Sequence, residues 1–167
     1  MDQDKIIIES DDTQYEEKAT QDTLRVLAFA LDKEVYCIEI TEAKEVFTPR
    51  IVNRVPNAAS FVKGVTNLHG IIIPLIDIRP FLGMMSGEVT QTSKVIVVEF
   101  RDGLVGIVVD KIFEAREITK DSVQPPLATL QGKLLEFTLG QIQLESGIMA
   151  LLDLKMILEL EKFNKGG

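Results

Sequence analysis

The stretch FVKGVTNLHGIIIPLIDIRPFLG, residues 61–83, contains the only histidine of the chain. VTNL and IIIPLI read as two strands folded back on each other through a turn at His69-Gly70, because glycine accepts the left-handed backbone that a tight hairpin needs. Pro74 has no N–H to give to a ladder, so the second run is expected at an edge or a bulge. DIRPFLG, residues 77–83, reads as a capped short helix. Just upstream, Asn57 follows Pro56 and is expected to cap a single helical turn through Phe61 that Gly64 ends.

The rest of the chain has the same texture. LRVLAFAL and EVYCIEI, residues 24–31 and 34–40, form a hairpin across Asp32-Lys33. TEAKEVF, residues 41–47, which periodicity alone does not settle, is expected to begin with Thr41 as a helix cap and to close in a short extended piece. MMSGEVTQTS is a polar loop, after which SKVIVVEF, LVGIVVD and KIFEARE, with an RDG turn between the first two, have the spacing of a meander. ITKDSVQPPL is rich in turn formers, and LLEFTLGQIQL and GIMALLDL supply the last strands. DLKMILELEKF has apolar residues at helical spacing, with Asp153 as the cap. Ten or so short strands and barely two helices point to small β-barrels.

Composition narrows the function. With 167 residues, 46% of them apolar and 26% charged, the chain is expected to build one domain of ordinary size or two very small ones sharing a core. Eight acids against two bases in the first 22 residues carry most of the net charge of -8. That segment reads as a flexible acidic tail, 1–22, with Ile6–Ile8 as a possible edge strand, ahead of a domain over 23–163. The remainder is close to neutral and lacks the basic run that nucleic acid or an anionic membrane surface requires. The lone Cys37 cannot form an intramolecular disulfide or a thiolate-rich zinc site, and it reads as a small core residue. No apolar run approaches the roughly 20 residues that span a bilayer, and no signal peptide opens the chain, so a soluble cytoplasmic protein without direct membrane insertion is expected.

Candidate chemistry is sparse. His69 lacks a second histidine or cysteine for a metal and a local partner for catalysis, which leaves it a turn residue. Asp77 and Asp110 each end a strongly apolar strand, IPLID and GIVVD, where a chain leaves its core. Gly64, Gly103 and Gly106 have no phosphate-loop spacing and read as turns, bulges or close backbone approaches. The methionines are too scattered to form a binding stripe. A binding or scaffolding protein, with no cofactor, no metal and no catalytic residue, is expected rather than an enzyme.

The signature FVKGVTNLHGIIIPLIDIRPFLG resembles that of the CheW-type coupling proteins of bacterial chemosensory arrays. RVPNAASFVKG fits its lead-in, VLAFALDKEVYCIEITEAKEV looks like the family's opening hairpin, and VIVVEF with LVGIVVDKI looks like its central strand pair. The likeness runs from Leu24 to about Leu160. It implies a mainly β fold of two interleaved five-stranded SH3-like β-barrels with a C-terminal helix, a hydrophobic core in each barrel and a third between them. It also implies no enzymatic activity and an adaptor that joins the regulatory domain of the histidine kinase CheA to the cytoplasmic tip of chemoreceptors. Outside the array such an adaptor would be a monomer; within it, the protein would be associated with membrane-anchored receptors. Carried over by position, the receptor-binding residues are Ile40, Glu45, Val46, His69, Val105 and Gly106; ordinary core packing is the competing reading for Ile40, Val46 and Val105. The family usually has arginine where this chain has His69, and an imidazole cannot make arginine's bidentate fork. That departure implies a changed receptor partner, an adaptor of a divergent or accessory array such as one for surface motility, or a turn that tolerates the change.

Overall fold

The computed structural model describes residues 22–126 and 132–166. Among these, twelve strands form two sheets. The first sheet receives β1 (Thr23–Leu31) and β2 (Glu34–Glu39), and later β8 (Lys111–Ile112), β9 (Arg116–Thr119), β10 (Val123–Gln124), β11 (Thr138–Leu144) and β12 (Gly147–Leu152). The second has the order β3-β6-β7-β5-β4, built from β3 (Ala43–Phe47), β4 (Val62–Leu68), β5 (Ile71–Ile76), β6 (Lys94–Phe100) and β7 (Gly103–Val109). The chain thus begins one barrel-like unit, builds the other in full, and returns to complete the first. A short helix α1 (Gly132–Glu136) precedes β11, and the terminal helix α2 (Leu154–Gly166) follows β12.

Apolar strands dictate this layering because several are buried on both faces. In β1, Val26 and Ala28 point into a core within the first sheet, with Cys37, Ile142, Met149 and Leu151, while Leu27, Phe29 and Leu31 point into a larger core shared by the two sheets. In β6, Val95 and Val97 fill the second sheet's own core and Ile96 and Val98 face the shared one. Alternate residues of a strand face opposite sides, so two-sided burial explains why VLAFAL and VIVV are continuous apolar runs. The described residues form three cores, one in each unit and one between them, as the mainly β, SH3-like double-barrel reading requires.

The two halves repeat. Asp77 and Asp153 each donate their N–H to the carbonyl of a phenylalanine, Phe61 and Phe137, at 2.8 Å. The strand after each phenylalanine carries a bulge that includes Gly64 or Gly140. Gly64 cannot be replaced without strain: its φ is +146° and a Cβ there would lie 2.5 Å from the Asn53 carbonyl oxygen. That close approach arises because Asn53 bridges to Val65, so the segment after β3 curls the second sheet round towards its far edge at β4.

Several local expectations are corrected. Thr41 lies inside a 3-10 turn, Ile40–Glu42, whose N-cap is Glu39 with no side-chain cap, so Thr41 does not start it. Asn57 takes a left-handed φ of 64° in a turn, and no helix follows it; Gly64 belongs to β4. β5 lies between β7 and β4 rather than at an edge, and it accommodates Pro74 because its first pair with β7 falls at Leu75, one residue later. KIFEARE does not continue a meander but crosses to the first sheet and pairs with β1 as β8 and β9. The turn-former segment around residues 118–127 also contains β10, and LLE of the penultimate run is helical in α1. DIRPFLG holds a 3-10 turn, Arg79–Leu82, closed by Gly83 in the left-handed region. The His69-Gly70 turn and the Asp153 cap agree with expectation: His69 and Gly70 have φ of 53° and 87°, and Asp153 Oδ1 accepts the Met156 N–H at 3.1 Å. The acidic tail, Ile6–Ile8 included, lies outside the described residues apart from Asp22.

Candidate functional site

The six residues singled out by position fall into three settings. Ile40 and Val105 are half-buried and pack against the shared core. Val46 pairs with Ile96 and Val105 with Val98, and both partners belong to that core. Residues paired across strands share a face, so Val46 and Val105 lie along the side of the second sheet turned towards the first, and Ile40, in the turn before β3, packs against the same core. Val46 remains 42% exposed there, too open for a core residue.

Glu45 and His69 lie elsewhere, at the rim of the second unit. Glu45 is on β3 and His69 at the tip of the β4–β5 turn, yet His69 Nε2 and Glu45 Oε2 are 2.7 Å apart. The curling of the sheet brings together two residues separated by 24 positions. A pair this exposed adds little to folding stability, so its value lies in what it presents at the surface. It borders a cleft of about 590 Å³ whose lining also includes Arg50, Ile51 and Ile72. Ile51 and Ile72 are exposed there, a feature of a surface that meets another protein.

Gly106 is in a third setting. It is buried in β7, and a Cβ at that position would stand 2.7 Å from Leu75 Cδ2 and Val95 Cγ1. Glycine is needed there for packing inside the second unit, next to Val105, which packs against the shared core.

A cluster absent from the sequence reading sits where the two sheets join. Arg79 is 3% exposed and its guanidinium meets three carboxylates: Asp110 at 2.5 Å, Asp77 at 3.2 Å and Asp32 at 3.5 Å. Asp77 also accepts N–H bonds from Arg79 and Gly87 and a hydroxyl bond from Ser86, and Asp110 accepts the Asp32 N–H at 2.6 Å. Burial alone pulls Arg79 towards neutrality and is the largest single effect, but the hydrogen bond to Asp110 and the charges of Asp77 and Asp110 together hold it above its ordinary range. Burial pushes the Asp110 carboxyl up, and the Asp32 N–H and Arg79 outweigh it, leaving Asp110 below the usual carboxylate range. The two aspartates that end IPLID and GIVVD are therefore structural counterions. The D-x-R spacing of Asp77 and Arg79 was the one local signal, because their meeting with Asp32 and Asp110 requires the fold.

Among the described residues, no group of three His, Cys, Asp or Glu side chains is placed to hold a metal ion, and no helix is long and apolar enough to cross a membrane. Cys37 is fully buried, and burial pushes its thiol up to about 12, against a weaker opposing pull from Arg116.

The sequence model of the CheW-like domain matches residues 25–162. This chain belongs to the CheW-like family. It is 32% identical over 136 residues to the chemotaxis protein CheW of Klebsiella aerogenes, covering 81% of this chain and 82% of that protein. The chemotaxis protein CheW of Bacillus subtilis is 25% identical over 138 residues, 82% of this chain and 88% of the relative. In three dimensions the fold matches the scaffolding protein TtCheW of Thermoanaerobacter tengcongensis with a TM-score of 0.69 at 26% identity, covering 80% of this chain and 86% of that one. These CheW relatives are named as chemotaxis and scaffolding proteins.

Proposed function

We propose that this member of the CheW-like family couples the regulatory domain of a CheA histidine kinase to the cytoplasmic tips of chemoreceptors. The observation that carries this reading is the strip formed by Ile40, Val46 and Val105 along the seam between the sheets, where Val46 stays exposed beside a continuous core. Such a strip suits the apolar stripe of a docking helix, and a rigid double unit can hold one partner on each of two surfaces and so raise their effective concentration. Glu45 and His69 present a separate polar patch at the rim of the second unit, and Gly106 acts through the position of Val105. A second reading keeps the fold and changes the pathway: an adaptor of a divergent or accessory array, for example one governing motility on surfaces. The observation favouring it is the Glu45–His69 contact, in which an imidazole stands where the family usually has an always-charged, bidentate arginine.

The test is a binding assay of the purified protein, as wild type and as His69→Arg, against the kinase regulatory domain and against each receptor tip of the source organism. Binding of the kinase domain together with a subset of tips is expected, with the subset altered by His69→Arg. Failure of both partners to bind at tens of micromolar would remove the coupling function. Unchanged receptor preference in His69→Arg would reduce His69 to a tolerated turn residue.

A further inference from the structure

The cleft of about 590 Å³ beside Glu45 and His69 opens onto the second unit's own core. Buried Leu68 and half-buried Phe47 form its floor, while Ile51 and Ile72 form walls that are 69% and 61% exposed. Thr66 Oγ1 donates to the Ile51 carbonyl at 2.6 Å, so the wall that carries Ile51 is held in place. Three charged or titratable residues line the cleft: Glu45, His69 and Arg50. Glu45 is closed on His69 at 2.7 Å, whereas Arg50 is exposed and makes no ion pair or hydrogen bond among the described residues. Lys94 brings a second positive charge to the mouth, its Nζ donating to Thr48 Oγ1 of the lining at 2.9 Å, with no ion pair to a described carboxylate. The cleft is therefore apolar inside and carries surplus positive charge at its edge.

One stretch of this chain has the complementary pattern. In DQDKIIIESDD, residues 2–12, three isoleucines stand between Asp2 and Asp4 on one side and Glu9, Asp11 and Asp12 on the other, with Lys5 as the one base. It belongs to the acidic tail, which apart from Asp22 lies outside the described residues. So polar a stretch cannot bury three isoleucines against itself, and removing them and the exposed Ile51 and Ile72 from water together is favourable. Residues 10–22 reach up to about 45 Å, more than the roughly 40 Å across a compact domain of this size, so the tether to β1 allows the contact. We propose that Ile6, Ile7 and Ile8 occupy this cleft, with the acids beside them against Arg50 and Lys94, so that the chain's own tail covers Glu45 and His69 until a partner displaces it. Tethering sets the local concentration of the segment near the millimolar range, which populates even a weak contact. Occupation of the cleft is independent of the coupling function; competition with a receptor tip rests on that reading.

The test uses the full chain with Ser10→Cys carrying a nitroxide, since the buried Cys37 stays unlabelled. Resonances of Ile51, Ile72 and His69 should broaden at least about fivefold more than those of Leu139 and Ile148, which are also exposed but lie on the first sheet. Changing Ile6, Ile7 and Ile8 together to serine should abolish the difference, and Arg50→Glu or added salt should reduce it. Equal broadening over both sheets, or a pattern that the serine variant leaves unchanged, would overturn the docking. Broadening that needs a labelled and an unlabelled molecule in one mixture would assign the cleft to a second copy and overturn it equally. Calorimetric titration with a soluble receptor-tip hairpin then reads the competition: a tail that fills the cleft about four-fifths of the time makes the serine variant bind about fivefold more tightly than wild type. Equal affinities would overturn the competition. If neither protein binds any hairpin, the coupling reading fails, while the broadening still decides whether the tail occupies the cleft.

Discussion

Cys37 lies between its strand partners Ala28 and Leu151 in the core of the first sheet, with no exposed surface. Its thiol, at about 12, stays protonated in the folded chain. In the unfolded chain a cysteine ionises near ~8.5. Because the folded value is the higher one, the stability carried by the neutral thiol is complete below the unfolded value and is lost as pH rises from there towards the folded one. Iodoacetamide at pH 8 should therefore leave native Cys37 unmodified over hours and label it fully in urea; rapid labelling of the native protein would contradict the packing. Cys37 was legible in the sequence because its neighbours in EVYCIEI are strand formers of a core. Gly106 was legible only as an alternative between packing and surface, since the side chains that crowd it, Leu75 and Val95, come from other strands.

Among the elements, the ends of β5, β7 and the β1–β2 turn are tied by Arg79, which faces a group of three acids. Removing Arg79 leaves the buried Asp77 carboxylate without its counterion, while Asp32 and Asp110 keep contact with water. Arg79→Met should lower the unfolding free energy by about 3 kcal/mol, measured by urea denaturation at neutral pH. The acid limb provides a second readout. The depressed Asp110 contributes stability that is present above the unfolded aspartate value and is lost as pH falls through the lower folded value. The stability of Asp110→Asn should therefore fall less steeply over that acid range than that of wild type. Where sequence reasoning misplaced elements, the cause was tertiary. KIFEARE is a strand by composition, yet which sheet it joins depends on the free side of β1. Asn57 follows a proline as helix caps often do, but its left-handed φ makes a turn there.

At the scale of the molecule, the two units share one core to which both sheets and α2 contribute, including Phe29 and Ile38 from the first, Ile96 and Ile107 from the second, and Leu154, Ile157 and Leu158 from the helix. Neither unit can bury its apolar surface without the other, and a shared core makes unfolding all-or-none. A single calorimetric transition is expected, with van't Hoff and calorimetric enthalpies equal; two separable transitions would mean that the units are independent domains. The sequence by itself determined the strand-rich class, the hairpins at Asp32-Lys33, His69-Gly70 and Arg101-Asp102, the Asp153 cap, and the absence of a local catalytic or metal motif. Each of these rests on residues adjacent in the chain, where backbone preference and side-chain alternation act directly. Only the tertiary structure decided that Glu45 meets His69 and that Arg79 gathers Asp32, Asp77 and Asp110. Those contacts join positions far apart in the chain, and their energies exist only once the two sheets have curled and closed on their common core.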